Sequence, residues 1–336
     1  MQMFYNHTMK ILYAIQGTGN GHLARSTEIV PLLGELGETD VLISGIQGDI
    51  QLPFEIKHRY YGLSFIFGKK GGIDKVQTLK KLKLVKFYND IKRCPVENYD
   101  VVISDFEPVS AWACRLKGKK CIGLSHQNAV LHPAAPKPDE DDWLGEWILQ
   151  NYAPVHQKYG FHFKKLDGLN FNPVIRPAIR NAKHTKQGHY TVYLPAFSDK
   201  KIQNLLSLHP NNRWEVFSKH SKESYQSGSI WFRPVSLEEF TNSFIHCDGI
   251  LCTAGFETPS EAIYMGKKLC VIPMNNQYEQ KCNAAFLEHL GVTVLKNLAE
   301  AYLTLKIWLN TTKVIHFDYT DETREILKEI VLNAEK

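Results

Sequence analysis

Apolar runs of strand length alternate with helical segments along most of the chain. Predicted strands of the N-terminal part cover 10–15, 40–44, 100–104 and 121–124, and predicted helices cover 21–36 and a segment that ends at 116. A second series has strands at 190–194, 214–218, 229–232 and 249–252 and helices at 200–208 and 237–245. Such alternation is typical of a parallel sheet with helices on both faces, so we predict an α/β fold.

The region between the two series has the composition of a domain junction. Residues 161–188 are rich in Pro, Asn and Lys, and Pro173 and Pro177 interrupt any regular element. We therefore predict two Rossmann-like, doubly wound domains that face each other across a cleft, with ligand loops at the carboxyl ends of their strands. The expected units are an acceptor-side domain (1–178), a donor domain (179–318) and a terminal helix (319–336). Packing of this helix against the N-terminal domain is one possible arrangement.

The segment 253–285 carries the strongest functional signal. Thr258, Pro259 and Glu261 suit the N-cap, the first helical position and the closing residue of a capping box. They follow the turn 253–256, which comes directly after an apolar strand. The amides and the dipole of a helix N-terminus favour an anion such as a phosphate.

A second polar loop follows the next predicted strand, 268–273. It brings Glu279 and Gln280 to the start of another helix. Two acid-bearing loops at neighbouring strand ends, one of them beside a phosphate-type turn, indicate a nucleotide-sugar site. A solvated pair at a helix start is the alternative for Glu279 and Gln280.

The loop after the first strand, 17–22, is Gly-x-Gly-x-Gly-His. Its third glycine comes one place early for a dinucleotide fingerprint, and no acid follows the second strand at Ser44, which disfavours NAD and FAD. His22 falls in the first helical turn, where the positive helix end favours a neutral imidazole that can accept a proton from a hydroxyl group. From the residues alone, a general base and a histidine that only hydrogen-bonds the loop are equal interpretations.

Composition and charge narrow the class of protein. The chain has 336 residues, 43% of them hydrophobic, and no apolar run near the ~20 residues that span a bilayer. Its start resembles a first strand rather than a signal peptide. The seven cysteines form no Cys-x-x-Cys pair, which favours reduced core cysteines and a cytoplasmic protein.

Positive charge is concentrated in one segment, 69–93. This segment has nine basic and two acidic residues, so its net charge is 9 − 2 = +7. The net charge of the whole chain is only +5. Apolar residues recur every three positions from Val76 to Ile91, as in a lysine-edged amphipathic helix. Docking on an anionic membrane surface is one interpretation. A solvated helix packed on the core is the more common arrangement, and the lack of a recognition motif disfavours nucleic acid.

Taken together, these motifs resemble glycosyltransferases of the GT-B fold, and most of all the MurG-like, undecaprenyl-linked N-acetylglucosaminyltransferase group. The resemblance spans both predicted domains and is most specific in the segment 253–285. The stretches that carry it are Gly17–His22, Ser125–Ala129, Thr253–Gly255, Ser260-Glu261, Gly266, Ile272-Pro273, Glu279-Gln280 and Asn283-Ala284. The loop 125–129 lacks the family's glutamate, so the peptidoglycan precursor is not implied as the acceptor.

The resemblance implies a role for each matching residue. Amides of Gly255 and Phe256 would hold a diphosphate, Glu261 would bind the ribose hydroxyls, and Glu279 with Gln280 would bind the donor sugar. Glu261 as a helix cap alone is the alternative. The implied donor-binding residues are Gly19, Asn20, Gly21, Arg233, Pro234, Val235, Thr253, Ala254, Gly255, Phe256, Ser260, Glu261, Glu279 and Gln280. The implied acceptor-side residues are His126 and Asn128.

The expected reaction is the transfer of a sugar from a nucleotide-sugar, with a preference for UDP, to a hydroxyl acceptor. His22 would act as the base of a single inverting displacement. Asp105 and Glu107 are further catalytic candidates, although Glu107 also suits a cap for a helix that begins at Pro108. No Asp-x-Asp motif is present, so we expect neither a metal nor another cofactor. The sequence leaves the acceptor open, with a lipid-linked hydroxyl among the candidates.

Two other functions remain compatible with the sequence. A nucleotide-sugar 2-epimerase uses the same two-domain fold, but it needs several acids around the sugar and no acceptor surface. A non-catalytic protein that binds nucleotide-sugars is the third reading, and His22 counts only mildly against it.

Overall fold

Two seven-stranded sheets form the frame of the protein. The computed structural model describes residues 8–45, 52–63, 67–68, 72–73 and 83–334. The strands of the first sheet are all parallel to their neighbours, in the order β3-β2-β1-β6-β7-β8-β9. They are β1 (Lys10–Gln16), β2 (Glu38–Ser44), β3 (His58–Tyr60), β6 (Val101–Asp105), β7 (Ile122–Leu124), β8 (Gln157–Phe161) and β9 (Asn170–Phe171). A separate antiparallel ribbon pairs β4 (Phe67–Gly68) with β5 (Gly72–Ile73).

Helices follow most strands of the first sheet, as the alternating pattern predicted. They are α1 (Asn20–Gly34), α2 (Leu84–Arg93), α3 (Pro108–Leu116), α4 (His126–Val130) and α5 (Trp143–Asn151), and a short α6 (Pro177–Arg180) leads to the second sheet. The strand order reverses between β1 and β6. In open parallel sheets, ligands bind outside the carboxyl ends of the strands at such a reversal.

The second sheet has the order β12-β13-β11-β10-β14-β15-β16. Its strands are β10 (His189–Tyr193), β11 (Arg213–Ser218), β12 (Tyr225–Ser227), β13 (Ile230–Pro234), β14 (Gly249–Thr253), β15 (Lys268–Ile272) and β16 (Thr293–Val294). Its helices are α7 (Asp199–Leu206), α8 (Leu237–His246), α9 (Glu257–Tyr264), α10 (Tyr278–His289) and α11 (Tyr302–Asn310). Only β12 is antiparallel to its neighbour, and the order reverses between β10 and β14. Strand β12 was not predicted from the sequence.

The two sheets share apolar contacts. One cluster of buried side chains runs from β1 to the helices of the second sheet. At its centre the Phe163 ring lies 5.1 Å from the Phe256 ring and 6.0 Å from the Phe286 ring. Residues 172–188 connect the sheets. The domain boundaries at 178 and 318 stay predictions.

The C-terminal helix α12 (Thr323–Ala334) lies against α1 of the first half. Arg324 forms an ion pair with Glu35 near the end of α1. Just before the helix, the Tyr319 hydroxyl donates to the carbonyl oxygen of Phe163 at 2.9 Å. The chain therefore returns to its N-terminal half after completing the second sheet.

The start of α9 differs from the prediction. The helix begins at Glu257 with Phe256 as its N-cap, and no side chain caps it. Thr258 and Pro259 are already inside the first turn, so the predicted capping box is wrong. The turn after β14 is tighter than expected, and the carboxylate of Glu261 pairs with another part of the chain.

About half of the basic segment, residues 69–71 and 74–82, lies outside the described residues. Its last part forms α2, where Leu84, Val85 and Tyr88 are exposed and Ile91 is buried. Within the described part of the predicted apolar stripe, Ile91 packs on the core, and Val85 and Tyr88 do not. Among the described residues, no helix is both long and apolar enough to cross a bilayer. All seven cysteines are buried thiols.

Candidate active site

The loop between β1 and α1 is fixed by its glycines. A Cβ at Gly17 would lie 2.8 Å from Ile43 Cγ2 and 2.9 Å from the carbonyl oxygen of Ser44, so only glycine fits beside β2. Gly19 has φ of 96°, a left-handed conformation that favours glycine, and it is the N-cap of α1. Asn20 and Gly21 open the helix. This geometry places His22 in the first turn of α1, where the strand order reverses.

His22 pairs with Asp105 at the carboxyl end of β6. The imidazole Nδ1 lies 2.8 Å from Asp105 Oδ1, and the histidine side chain is 13% exposed. Burial acts to raise the pKa of Asp105, but the charges of Arg25 and His22, with their hydrogen bonds, outweigh it and lower that pKa. An ionised Asp105 accepts from Nδ1–H, which leaves the lone pair on Nε2. Nε2 is therefore the atom that can take a proton.

A strained residue separates the two acids that follow β6. Phe106 has φ of 55°, which is unusual for a side chain of this size, and its ring stacks on Tyr152 at 4.8 Å. Glu107 caps α3, because its oxygens accept from the amides of Val109 and Ser110 at 2.7 Å each. Ser44 Oγ also donates to this carboxylate. The catalytic role offered for Glu107 is thus replaced by its capping alternative, and Asp105 faces His22.

The donor turn lies between β14 and α9. Thr253 ends the strand, and the amide of Ala254 donates to the carbonyl oxygen of Ile272 at 3.0 Å. A Cβ at Gly255 would meet no atom within 4 Å, so there is open space beside this turn. Ser260 is buried and donates to the carbonyl oxygen of Phe256 at 2.8 Å, which ties the first turn of α9 together.

Both predicted acceptor-side residues make hydrogen bonds within the protein. His126 is buried, contacts the carbonyl oxygen of Phe161 at 2.9 Å and Asn283 Oδ1 at 2.7 Å, and stacks on Phe256 at 3.8 Å. Burial lowers the pKa of His126. Asn128 donates to the carbonyl oxygen of Tyr159 at 3.0 Å. These contacts hold the loop in place, and a role for either residue toward an acceptor stays a prediction.

Gln127, between them, is the residue that faces His22. Its Nε2 lies 3.3 Å from His22 Nε2 and donates to Glu279 Oε2 at 2.9 Å. Its buried Oε1 has no hydrogen-bond partner in the part of the chain that the structure describes. Gln127 thus links the candidate base to the candidate sugar loop. Gln280, by contrast, is buried and accepts from the amide of Met274 at 3.0 Å, which shapes the loop.

Glu261 has a partner that the sequence did not indicate. Arg176 binds it through two parallel contacts, Nε to Oε1 at 2.6 Å and Nη2 to Oε2 at 2.7 Å. The carboxylate is buried and anchors the segment that connects the two sheets. Ribose binding by Glu261 stays a prediction.

The proposed base-binding stretch follows β13. The Arg233 guanidinium lies 4.3 Å from the Trp231 ring centre and within 3.5 Å of Glu215. Pro234 and Val235 are partly exposed after it. Three strand spacings, roughly 14 Å, separate this strand end from the turn after β14. The structure thus brings His22, Asp105 and the donor turn together and leaves Arg233 at the far end of the same edge.

A family model described as "Glycosyl transferase family 1" matches residues 9–307. The chain belongs to glycosyl transferase family 1. This match confirms the predicted enzyme class, a glycosyltransferase. A search of curated proteins found no match.

Solved structures of glycosyltransferases resemble this one over nearly its full length. One is a UDP-glucosyltransferase from Polygonum tinctorium capable of glucosylating indoxyl (TM-score 0.58, 13% identity, 97% of this chain and 94% of that chain). Another is the Streptomyces sp. SF2575 glycosyltransferase SsfS6 complexed with thymidine diphosphate (TM-score 0.56, 12% identity, 97% of this chain and 98% of that chain). At such identity these likenesses show the fold alone, and they confirm the predicted GT-B architecture.

The glycosyltransferase also has a buried cross-cleft ion pair that the sequence analysis missed. Arg25 Nη2 donates to both oxygens of Asp105, at 2.7 and 2.9 Å, while Nη1 binds Glu257 at the start of α9. Burial is the main cause that raises the pKa of Glu257 to about 7; Arg25 acts in the opposite direction. Arg25 lies one helical turn after His22, which was the one available signal. Among the described residues, no group of three His, Cys, Asp or Glu side chains could hold a metal ion.

Proposed function

We propose that this glycosyltransferase moves a sugar from a pyrimidine nucleotide-sugar to an acceptor hydroxyl, with inversion at the anomeric carbon and without a metal. The observation that carries the proposal is the His22–Asp105 pair, 2.8 Å apart, at the strand reversal of the first sheet. The donor turn of the second sheet is close by, since a Cβ at Gly21 would lie 3.2 Å from Glu257 Cγ.

The residues support a single displacement. His22 Nε2 takes the proton of the acceptor hydroxyl while its oxygen forms a bond to the anomeric carbon. The bond from that carbon to the diphosphate oxygen breaks, and the nucleoside diphosphate leaves with the electron pair. Asp105 stabilises the imidazolium that results. The amides of Gly255 and Phe256 and the dipole of α9 stabilise the charge on the leaving group, which is how a site can work without a metal.

Donor recognition follows from the loops along the same edge. Glu279 lies partly exposed beside Gln127, and its carboxylate can accept a hydrogen bond from a sugar hydroxyl. The base is expected near Arg233, Pro234 and Val235. UDP is our first choice, in line with the MurG-like resemblance. Two similar structures support a pyrimidine, since one is a UDP-glucosyltransferase and the other is complexed with thymidine diphosphate.

The acceptor side supports an amphiphilic, lipid-linked acceptor. Trp143 and Trp147 lie one helical turn apart on α5 and are 75% and 57% exposed. This helix packs close to the sugar loop, because a Cβ at Gly145 would lie 2.7 Å from Tyr278 Cβ. With the exposed Leu84, Val85 and lysines of α2, these side chains favour peripheral contact with an anionic membrane on the cytoplasmic face.

The decisive experiment combines a binding and a hydrolysis assay. A thermal-shift panel of UDP-, dTDP- and GDP-sugars, with and without EDTA, should show stabilisation by a pyrimidine donor that EDTA leaves intact. His22→Ala should abolish donor hydrolysis, while the control His132→Ala, which breaks the exposed His132–Asp167 pair, should not. Stabilisation by no nucleotide would remove the donor site from the proposal. Unchanged hydrolysis in His22→Ala would remove the base.

Two further readouts test the finer parts. The anomeric configuration of the product, followed by NMR, should be opposite to that of the donor; retention would refute the single displacement. Flotation with liposomes should depend on anionic lipid and weaken in a Leu84→Ser, Val85→Ser variant. Binding that ignores lipid charge would refute the membrane contact.

A further inference from the structure

One guanidinium joins the two halves at the reacting centre. Arg25 is buried, with a side chain that is 1% exposed, and it contacts carboxylates from both sheets. Asp105, at the end of β6 in the first sheet, accepts from Nη2 through both of its oxygens. Glu257, at the start of α9 in the second half, accepts from Nη1. The same Nη2 lies 3.2 Å from His22 Nδ1. Arg25 is therefore in contact with both members of the candidate base pair and with the donor half.

The surroundings of this cluster contain several other charged or titratable groups. The Tyr13 hydroxyl of β1 donates to Asp105 Oδ2 at 3.2 Å. The charge of Glu261, on α9, raises the pKa of Glu257. The charges of Glu261, Glu257 and Glu28 raise the pKa of Arg176, which lies directly before α6. The charged or titratable groups near Glu257 are thus Glu261 of the same helix, Arg25 and His22 of α1, Asp105 of β6 and Arg176 of the connecting segment.

The charges of Arg25, Asp105 and Glu257 do not cancel. Arg25 neutralises one carboxylate, and two are present, so a neutral His22 leaves one negative charge over. That charge is what favours an imidazolium at His22 when the acceptor hydroxyl gives up its proton. Without Glu257, Arg25 alone would neutralise Asp105, and the guanidinium beside Nδ1 would oppose the imidazolium.

We propose that Arg25 and Glu257 are positioning residues, which hold Asp105 and His22 in their catalytic arrangement and do so only when the donor turn is seated against α1. Because Glu257 is the first residue of α9, directly after the Gly255–Phe256 turn, its contact with Arg25 links the position of this turn to that of Asp105 and His22. The acceptor base is thereby coupled to the donor half. This inference rests on the proposed function, because it assigns no chemistry of its own to Arg25 or Glu257.

Glu257→Gln is the primary test, since glutamine keeps the shape and one acceptor oxygen while removing the charge. In the full-length enzyme we expect kcat to fall roughly 10- to 100-fold, the scale of a misplaced catalytic group. Nucleotide affinity in the thermal-shift assay and both KM values should stay within about threefold, because neither residue binds substrate in the proposal.

The pH profile separates positioning from simple packing. In the wild type, kcat should rise with an ionisation near pH 7 as Glu257 gains its charge, whose pKa burial raises to about 7. Glu257→Gln should lose that ionisation. Arg25→Lys should retain more activity than Arg25→Met but less than the wild type. Lysine keeps the positive charge but lacks the two separate guanidinium nitrogens that contact Asp105 and Glu257.

Two outcomes would overturn the inference. One is a Glu257→Gln enzyme with wild-type kcat and an unchanged pH profile. The other is a loss of activity that is fully explained by a smaller fraction of folded protein, as measured by circular dichroism. If His22→Ala abolishes activity while either outcome holds for Glu257→Gln, the proposed function stands and the inference alone fails. If His22→Ala is fully active, the proposed base itself fails.

Discussion

Glu257 offers a direct measurement of electrostatics inside the cleft. Its side chain is 18% exposed, and burial, only partly offset by Arg25, raises its pKa from 4.5 to about 7. A carboxyl group whose folded-state pKa is raised binds its proton more tightly in the folded protein. It therefore contributes stability that is complete below pH 4.5 and is lost as the pH rises through 7.

The size of the effect follows from the two pKa values. Between pH 5 and pH 8 the linkage relation gives a loss of about 2–3 kcal/mol in the free energy of unfolding. Glu257→Gln carries no titrating group at this position and should not suffer that loss. Relative to the variant, the wild type should thus become less stable with rising pH. The difference between their free energies of unfolding should change by this amount from pH 5 to pH 8.

Urea unfolding of both proteins at half-unit steps of pH measures the difference directly. Glu35→Gln is the matched control, because Glu35 pairs with Arg324 at the surface and its pKa is lowered by that hydrogen bond. The stability due to a lowered pKa is lost only as the pH falls, so the control and wild-type curves should stay parallel from pH 5 to pH 8. Parallel curves for Glu257→Gln as well would refute the assignment of a raised pKa.

Three further substitutions test structural assignments. Lys267→Met should lower the free energy of unfolding by at least about 2 kcal/mol, since the buried ammonium donates to the carbonyl oxygens of Thr185, Ile245 and Cys247; a neutral result in urea would contradict this. Glu107→Ala should cost about 1–2 kcal/mol through the lost cap of α3, with kcat per folded enzyme unchanged; a selective loss of kcat would restore a catalytic role. Glu261→Gln should cost about 3 kcal/mol by leaving Arg176 without its partner charge; donor KM, measured in parallel, should rise only if Glu261 also binds ribose.

The sequence predicted the elements that depend on local patterns. The alternating runs gave the α/β architecture, and the glycines before α1 gave His22, because a tight turn at a strand end has a short sequence signature. Asp105 and Glu107 were both singled out, but one dihedral angle decides between them. Phe106 at φ of 55° turns the two acids to different sides, and no sequence rule assigns that conformation to a phenylalanine.

Contacts between distant parts of the chain were the ones missed. Arg25 and Glu257 are 232 positions apart, and Arg176 and Glu261 are 85 positions apart. Such pairs depend on how the two sheets face each other, which one sequence does not encode in any local pattern. In the segment 125–129, the side chain that lies beside His22 is Gln127, whereas His126 contacts Phe161 and Asn283. In a helix of five residues, one position of difference changes the direction by about 100°.

The aromatic contact between the sheets has a consequence for how the protein unfolds. Phe163 of the first half lies against Phe256 and Phe286 of the second, within one continuous apolar cluster. Separating the halves would expose these rings to water, so neither half can lose its structure without weakening the other. Calorimetry should therefore record a single transition, with calorimetric and van't Hoff enthalpies that agree, although the chain has two separate sheets.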